Sequence, residues 1–159
     1  MDRGPAVTIF RRVYIGAPAE TVWPWLVAPE RVREYALYEL SRSPAGPGEV
    51  IEYRSRLSGE PIVRGVVEEL VEGRRLAHSY RLEAAPEDPP GRVVYELLRY
   101  GERMCCLEVR HEGVLAGSET ERTVSQSWDV ILSSLKTLVE TGAPLPWPTR
   151  SRGGGMQDA

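Results

Sequence analysis

Residues 118–142 read SETERTVSQSWDVILSSLKTLVETG, and this stretch decides the fold. Ser118 followed three residues later by Glu121 is a capping box, in which each side chain satisfies a backbone N–H that the first helical turn leaves free. Val124, Trp128, Ile131, Leu132, Leu135, Leu138 and Val139 then recur at spacings of three and four, one face of a helix. Gly142 and Pro144 close it, since glycine adopts the left-handed C-cap and proline cannot continue the hydrogen-bond ladder. The pattern predicts a helix of about 23 residues, near 34 Å long, enough to cross a whole domain.

Working back from this helix, the sequence alternates like a sheet. Val7 to Tyr14 (VTIFRRVY) reads as a strand with Val7, Ile9 and Val13 on one face. In PAETVWPWLVAPERVREYA, residues 18–36, Val22, Trp23, Leu26 and Val27 have helical spacing, and Pro29 separates a second short helix, Glu30 to Tyr35. Pro24 interrupts the first. Beyond SRSPAGPG (41–48), strands are expected at Glu49–Leu57, Ile62–Val71, Arg75–Glu83, Arg92–Tyr100 and Arg103–Glu112. The tight connections SGEP and EGR make their pairing antiparallel. The expectation is an α+β fold: a curved antiparallel sheet of about six strands wrapped around a long C-terminal helix, with two short helices after the first strand.

Composition agrees with one soluble domain. Of 159 residues, 42% are hydrophobic and 27% charged, which leaves no case for collagen, coiled coil or wholesale disorder. We expect a single domain over 1–149 and a disordered tail at 150–159, where SRGGGMQDA has neither apolar period nor cap. The net charge of −3 and the absence of a basic cluster argue against nucleic acid as a partner. No apolar run approaches a membrane span, and the first ten residues lack the apolar core of a signal peptide, so the expected location is cytoplasmic. Cys105 and Cys106 are adjacent, and in a strand they face opposite ways, so no bridge joins them.

The order of elements, with AETVWPWLVAPE (19–30), EGRRLAHSY (72–80), RVVYEL (92–97), LEVRHEG (107–113) and SWDVILSSLKTLVETG (127–142), resembles the START-like superfamily. This is the helix-grip group of the birch-pollen allergens and polyketide cyclases, and within it the likeness is nearest to bacterial homologues of the activator of the heat-shock-protein ATPase. It spans about residues 7–142, with the order and spacing of the motifs carrying it. The resemblance implies a cavity between sheet and last helix, used across the superfamily for lipids, sterols, polyketides and other apolar molecules. The eukaryotic co-chaperone sets a separate chaperone-binding domain ahead of this one, whereas six residues precede Val7 here, which weakens a co-chaperone reading.

Alternation places Leu76, His78, Tyr80 and Leu82 on the inner face, with Val93, Tyr95 and Leu97, and with Cys105, Leu107, Val109 and His111. A histidine there either binds a ligand oxygen or moves protons, or it is a core residue with a local partner. Eleven of the twelve aromatic residues are Tyr or Trp, apolar in body with a polar tip, which suits a cavity wall. The candidate lining is Trp23, Tyr35, Tyr53, His78, Tyr80, Tyr95, Leu107, Trp128 and Leu132; Trp23 and Trp128 also read as plain core. In the third strand one register turns Val50, Glu52 and Arg54 inward. The favoured one turns Ile51, Tyr53, Ser55 and Leu57 inward and leaves the charges on the convex side. Arg64 is similarly ambiguous.

Signatures of hydrolases, phosphate loops and zinc sites are absent, so no catalytic residue, metal ligand or cofactor is assigned. Three functions remain. The leading one is non-catalytic binding of a small hydrophobic or amphipathic molecule. The others are a cyclase-like enzyme using His78 with Tyr80 or Tyr95, and a protein-interaction module, a homodimer included.

Overall fold

The computed structural model describes residues 4–147. Among these residues seven antiparallel strands are joined in one sheet: β1 (Ala6–Ile15), β2 (Tyr38–Leu40), β3 (Val50–Ser55), β4 (Pro61–Val71), β5 (Arg75–Leu82), β6 (Gly91–Tyr100) and β7 (Met104–Leu115). Their order across the sheet is β1-β7-β6-β5-β4-β3-β2. Register shifts between Val7 and Ile9, Tyr53 and Arg54, and Val67 and Glu69 mark local irregularities of the bulge type, which sharpen twist and curl a sheet. At Gly65 the strands come very close: a Cβ there would lie 1.7 Å from the Ser79 carbonyl oxygen, so only glycine fits.

Between β1 and β2 run three short helices, α1 (Ala19–Val22), α2 (Pro24–Val27) and α3 (Pro29–Tyr35), where two were expected. The reason is Pro24. It opens α2 because it has no N–H to continue the ladder of α1, as Pro29 opens α3. The seventh strand, β2, is three residues long and pairs with β3 through Tyr38–Ser55 and Leu40–Tyr53. It is too short to show a period.

The long helix, α4 (Glu119–Thr141), has the expected ends. Ser118 Oγ accepts from the Glu121 N–H at 3.0 Å, and Glu121 Oε1 accepts from the Gly117 N–H at 2.7 Å. Gly142 caps the other end with φ +91°. Asp88 ties the β5–β6 loop to the first turn by accepting from both the backbone N–H and the hydroxyl of Thr120. At the far side Lys136 donates to the Tyr14 carbonyl, and Glu140 accepts from the Gly16 N–H at 2.6 Å. Val124, Trp128, Ile131, Leu132, Leu135 and Leu138 face a core shared with Ile15, Leu76, Val93, Leu97 and Leu107. Burial of these apolar side chains is the main force closing the sheet onto the helix.

The third strand takes the register with Ile51 and Tyr53 buried. Glu52 lies on the convex surface between Arg54 (2.9 Å) and Arg64 (2.8 Å). Because β3 ends at Ser55, the alternation stops short of Leu57, which is exposed in the turn. No helix among the described residues is long and apolar enough to cross a membrane. The expected tail at 150–159 lies outside the described residues. Just ahead of it, Trp147 Nε1 donates to the Tyr35 carbonyl at 2.9 Å.

Candidate functional site

Between the concave face and the amino-terminal half of α4 lies a cavity of about 540 Å3, within the usual range for small-molecule sites. Tyr38 of β2, Tyr53 and Ser55 of β3, Ile62 and Val63 of β4, His78, Tyr80 and Leu82 of β5, and Tyr95 of β6 form the sheet side. Glu119, Thr123, Val124, Ser127, Trp128 and Ile131 form the helix side, and Leu57, Ser58 and Pro61 stand at the rim.

Of the residues expected to line it, Tyr53, His78, Tyr80, Tyr95 and Trp128 come together here. Trp23, Tyr35, Leu107 and Leu132 are buried in the core and do not line it. Tyr35 points its hydroxyl to the Trp25 carbonyl at 2.8 Å, and Trp23 belongs to the short-helix segment. Tyr38 was not anticipated, because its strand is too short to read. Nor were Glu119, Thr123 and Ser127, although their i, i+4, i+8 spacing puts a polar row beside the apolar stripe and is visible in the sequence.

The aromatic rings form a connected set. Tyr38 meets Tyr53 edge-on at 5.2 Å, the His78 ring lies 5.9 Å from Tyr53 and 6.1 Å from Tyr95, and Tyr95 meets Trp128 edge-on at 5.8 Å. Such offset and edge contacts suit the aromatic quadrupole and fix the wall's shape. Burial pushes the Tyr53 hydroxyl up to about 12 and raises Tyr38, Tyr80 and Tyr95 further, so all four stay neutral at physiological pH.

Two histidines touch these rings, His78 as part of the lining and His111 against Tyr80 and Trp128. His78 Nδ1 is 2.7 Å from the Ser79 carbonyl, and burial pulls its pKa down to about 4 against a weaker opposing pull from that hydrogen bond and from Glu68. His111 accepts from Trp128 Nε1 at 3.1 Å and meets Tyr80 edge-on at 4.3 Å. Burial, and secondarily His78, hold its pKa at about 4. Both rings are therefore neutral near pH 7, and Nε2 of each is buried with no hydrogen-bond partner among the described residues. His111 was expected near a strand end; β7 runs on to Leu115, and His111 is a core residue orienting the indole.

Among the described residues the one formally charged side chain in the lining is Glu119, exposed and paired with Arg122. No cluster of three or more His, Cys, Asp or Glu able to hold a metal occurs among the described residues. Cys105 is buried in the core and its thiol is raised to about 11, mainly by burial, far from the thiolate a nucleophile requires.

A curled antiparallel sheet gripping one long helix, with a cavity between them, is the architecture of START-like, helix-grip proteins. Residues 16–140 match the family described as Activator of Hsp90 ATPase homolog 1-like protein, and the chain belongs to that family. No curated protein matches the chain. Among solved structures it is similar to the Aha1 dimer from Colwellia psychrerythraea, at 18% identity and TM-score 0.71, covering 86% of this chain and 98% of that one. It is also similar to protein MLL2253 from Mesorhizobium loti (18%, TM-score 0.72, 84% and 97%). CalU16 from Micromonospora echinospora matches at 22% and TM-score 0.66, over 86% and 78%. At these identities the likeness is one of fold.

Proposed function

We propose that this protein binds a small, largely apolar molecule between its sheet and α4 without transforming it. The observation that carries this reading is the cavity of about 540 Å3, apolar in body with a few neutral polar tips. The acid–base values favour binding over proton transfer. A histidine near 4 beside tyrosines at about 12 and above leaves no pair exchanging protons near pH 7.

The test is thermal denaturation with a panel of neutral aromatic and aliphatic compounds. At a hundredfold excess over Kd a true ligand stabilises the native state by about 2.7 kcal/mol, a rise of several degrees. Tyr80→Trp fills part of the cavity. It is expected to blunt the ligand's effect and to shift the ligand-free Tm little, because open space accepts bulk that a packed core resists. No shift across the panel, together with marked destabilisation of the empty protein by Tyr80→Trp, would mean that sheet and helix pack directly on each other.

The convex face supports a second property, pairing of two copies. Phe10, Tyr14, Leu98 and Tyr100 are exposed there on β1 and β6, with Tyr14 and Tyr100 in edge contact at 5.4 Å, and the Colwellia psychrerythraea Aha1 of similar fold is a dimer. Sedimentation is expected to show a dimer that Leu98→Arg dissociates; a monomer at all concentrations would remove this reading.

A further inference from the structure

Resting on the cavity as a ligand site, we propose that the hydroxyls of Tyr53 and Tyr95, flanked by those of Tyr38 and Tyr80, select an uncharged aromatic molecule that carries a carbonyl oxygen. A buried tyrosine ordinarily finds a partner for its hydroxyl, and Tyr35, which does not line the cavity, finds one in the Trp25 carbonyl at 2.8 Å. The four tyrosines that do line it differ: none of their hydroxyls makes a hydrogen bond of normal geometry within the described residues. Nor are they sealed in. Among the described residues the buried side-chain polar atoms left without a partner are Nε2 of His78, Nε2 of His111 and Oγ of Ser134, and no tyrosine oxygen is one of them. Tyr53 and Tyr95 are only 5% and 7% exposed, so the surface they keep open at the hydroxyl is that of the cavity they line.

These hydroxyls converge. Those of Tyr53 and Tyr95 act on each other's ionisation through a loose contact, and Tyr53 acts in turn on Tyr38 and Tyr80. The rings of Tyr53 and Tyr95 are held on either side of His78, at 5.9 and 6.1 Å between centroids, which fixes where the two hydroxyls stand. A phenol gives its proton more readily than it accepts one, because the oxygen lone pair is drawn into the ring. Even with Tyr95 turned to donate to Tyr53, the Tyr53 proton still has to be placed. What suits the set is an acceptor, and a carbonyl oxygen, with two lone pairs, can accept from both hydroxyls.

Charge excludes the stronger acceptors. Among the described residues no lysine or arginine lines the cavity, and the one carboxylate, Glu119, is exposed and already paired with Arg122. A carboxylate or phosphate inside would be an uncompensated buried anion. Burial already penalises negative charge at these positions, being the main cause that holds all four tyrosine hydroxyls above their ordinary pKa. Fatty acids and phosphorylated molecules are thus disfavoured, whereas a neutral carbonyl is not. Trp128 edge-on to Tyr95, and Tyr38 edge-on to Tyr53, give a flat ligand aromatic faces and edges to meet.

The test compares three probes of similar shape by calorimetry: 2-acetonaphthone, 2-isopropylnaphthalene, which lacks the carbonyl, and 2-naphthoate, which is an anion. 2-Acetonaphthone is expected to bind about tenfold more tightly than 2-isopropylnaphthalene, the scale of one neutral hydrogen bond in a dry site, and 2-naphthoate more weakly than either. The double variant Tyr53→Phe/Tyr95→Phe keeps both rings and is expected to abolish the preference for the ketone while 2-isopropylnaphthalene still binds. Tyr35→Phe, outside the cavity, is expected to leave that preference in place. In the unaltered protein, the carbonyl carbon-13 signal of labelled 2-acetonaphthone is expected to lie downfield of its position in cyclohexane, a readout that does not depend on how a variant folds. Equal binding of the ketone and the hydrocarbon, a preference that survives in the double variant, a bound carbonyl signal at its cyclohexane position, or binding of 2-naphthoate as tight as that of the ketone would overturn the inference while leaving the cavity a ligand site. Binding of none of the three would remove both.

Discussion

Trp128→Ala is expected to lower the unfolding free energy by about 3 to 5 kcal/mol, the range for emptying a large aromatic site in a core. The indole is 5% exposed at the centre of the α4 stripe and touches Tyr95 and His111 edge-on at 5.8 and 6.2 Å. Its N–H donates to His111 Nδ1, so truncation also strands a buried acceptor. Trp128→Phe keeps one aromatic ring but loses that bond and part of the indole's volume, and is expected to cost about 1 to 3 kcal/mol, short of alanine. Urea denaturation of the two variants measures the difference. A loss below about 1 kcal/mol for alanine would show that this part of α4 contributes little packing.

The second large effect is acid instability above the range in which carboxylates titrate. His78 and His111 are held near 4 in the folded protein, against about 6.5 for a histidine in an unfolded chain. Between those values the unfolded chain binds more protons, so stability is complete above about pH 6.5 and falls as pH drops toward the folded values. From pH 7 to 5 each histidine loses up to about 2 kcal/mol, roughly 4 for both. Glu52, Glu69 and Glu140 have lowered pKa values from their Arg and Lys partners, so their contribution disappears only below their ordinary range, at more acid pH. Denaturation at pH 7, 6 and 5 is expected to show this decline. A flat profile down to pH 5 would mean that the two imidazoles are solvated in the folded state.

How much was readable in the sequence follows from how many independent signals met at each residue. In α4 the cap at Ser118, the apolar spacing and Gly142 agree, and the helix has those ends. The inner faces of β5, β6 and β7 follow from the alternation of their large apolar and aromatic residues, although Ala77, Val94 and Cys106 on the other face are buried too. β3 was ambiguous because Val50 is apolar yet 55% exposed, while Leu57, equally apolar, is 67% exposed beyond the strand's end. On the convex face Glu52 meets Arg54 of its own strand and Arg64 opposite it on β4, and the second of these is a relation between strands that one strand's period does not show.

The site was legible only in part for the same reason. Alternation identifies which aromatics face inward, but not which stretch of the concave face α4 covers directly. Leu107 and Leu132 meet the core where sheet and helix touch, and Tyr53, His78, Tyr80 and Tyr95 lie where they diverge. That divergence depends on the curl introduced at the register shifts in β3 and β4, and on β2, three residues that carry Tyr38 to the wall.

The most direct test of a ligand cavity between sheet and helix is solution NMR of the aromatic side chains during titration with 2-naphthol. The account predicts saturable shifts, with one probe molecule per chain, concentrated at Tyr53, His78, Tyr80, Tyr95 and Trp128. Signals of Tyr14 and Tyr100 on the convex face are expected to stay in place. Shifts confined to Tyr14 and Tyr100, or no saturable change at any of the five cavity aromatics, would contradict it.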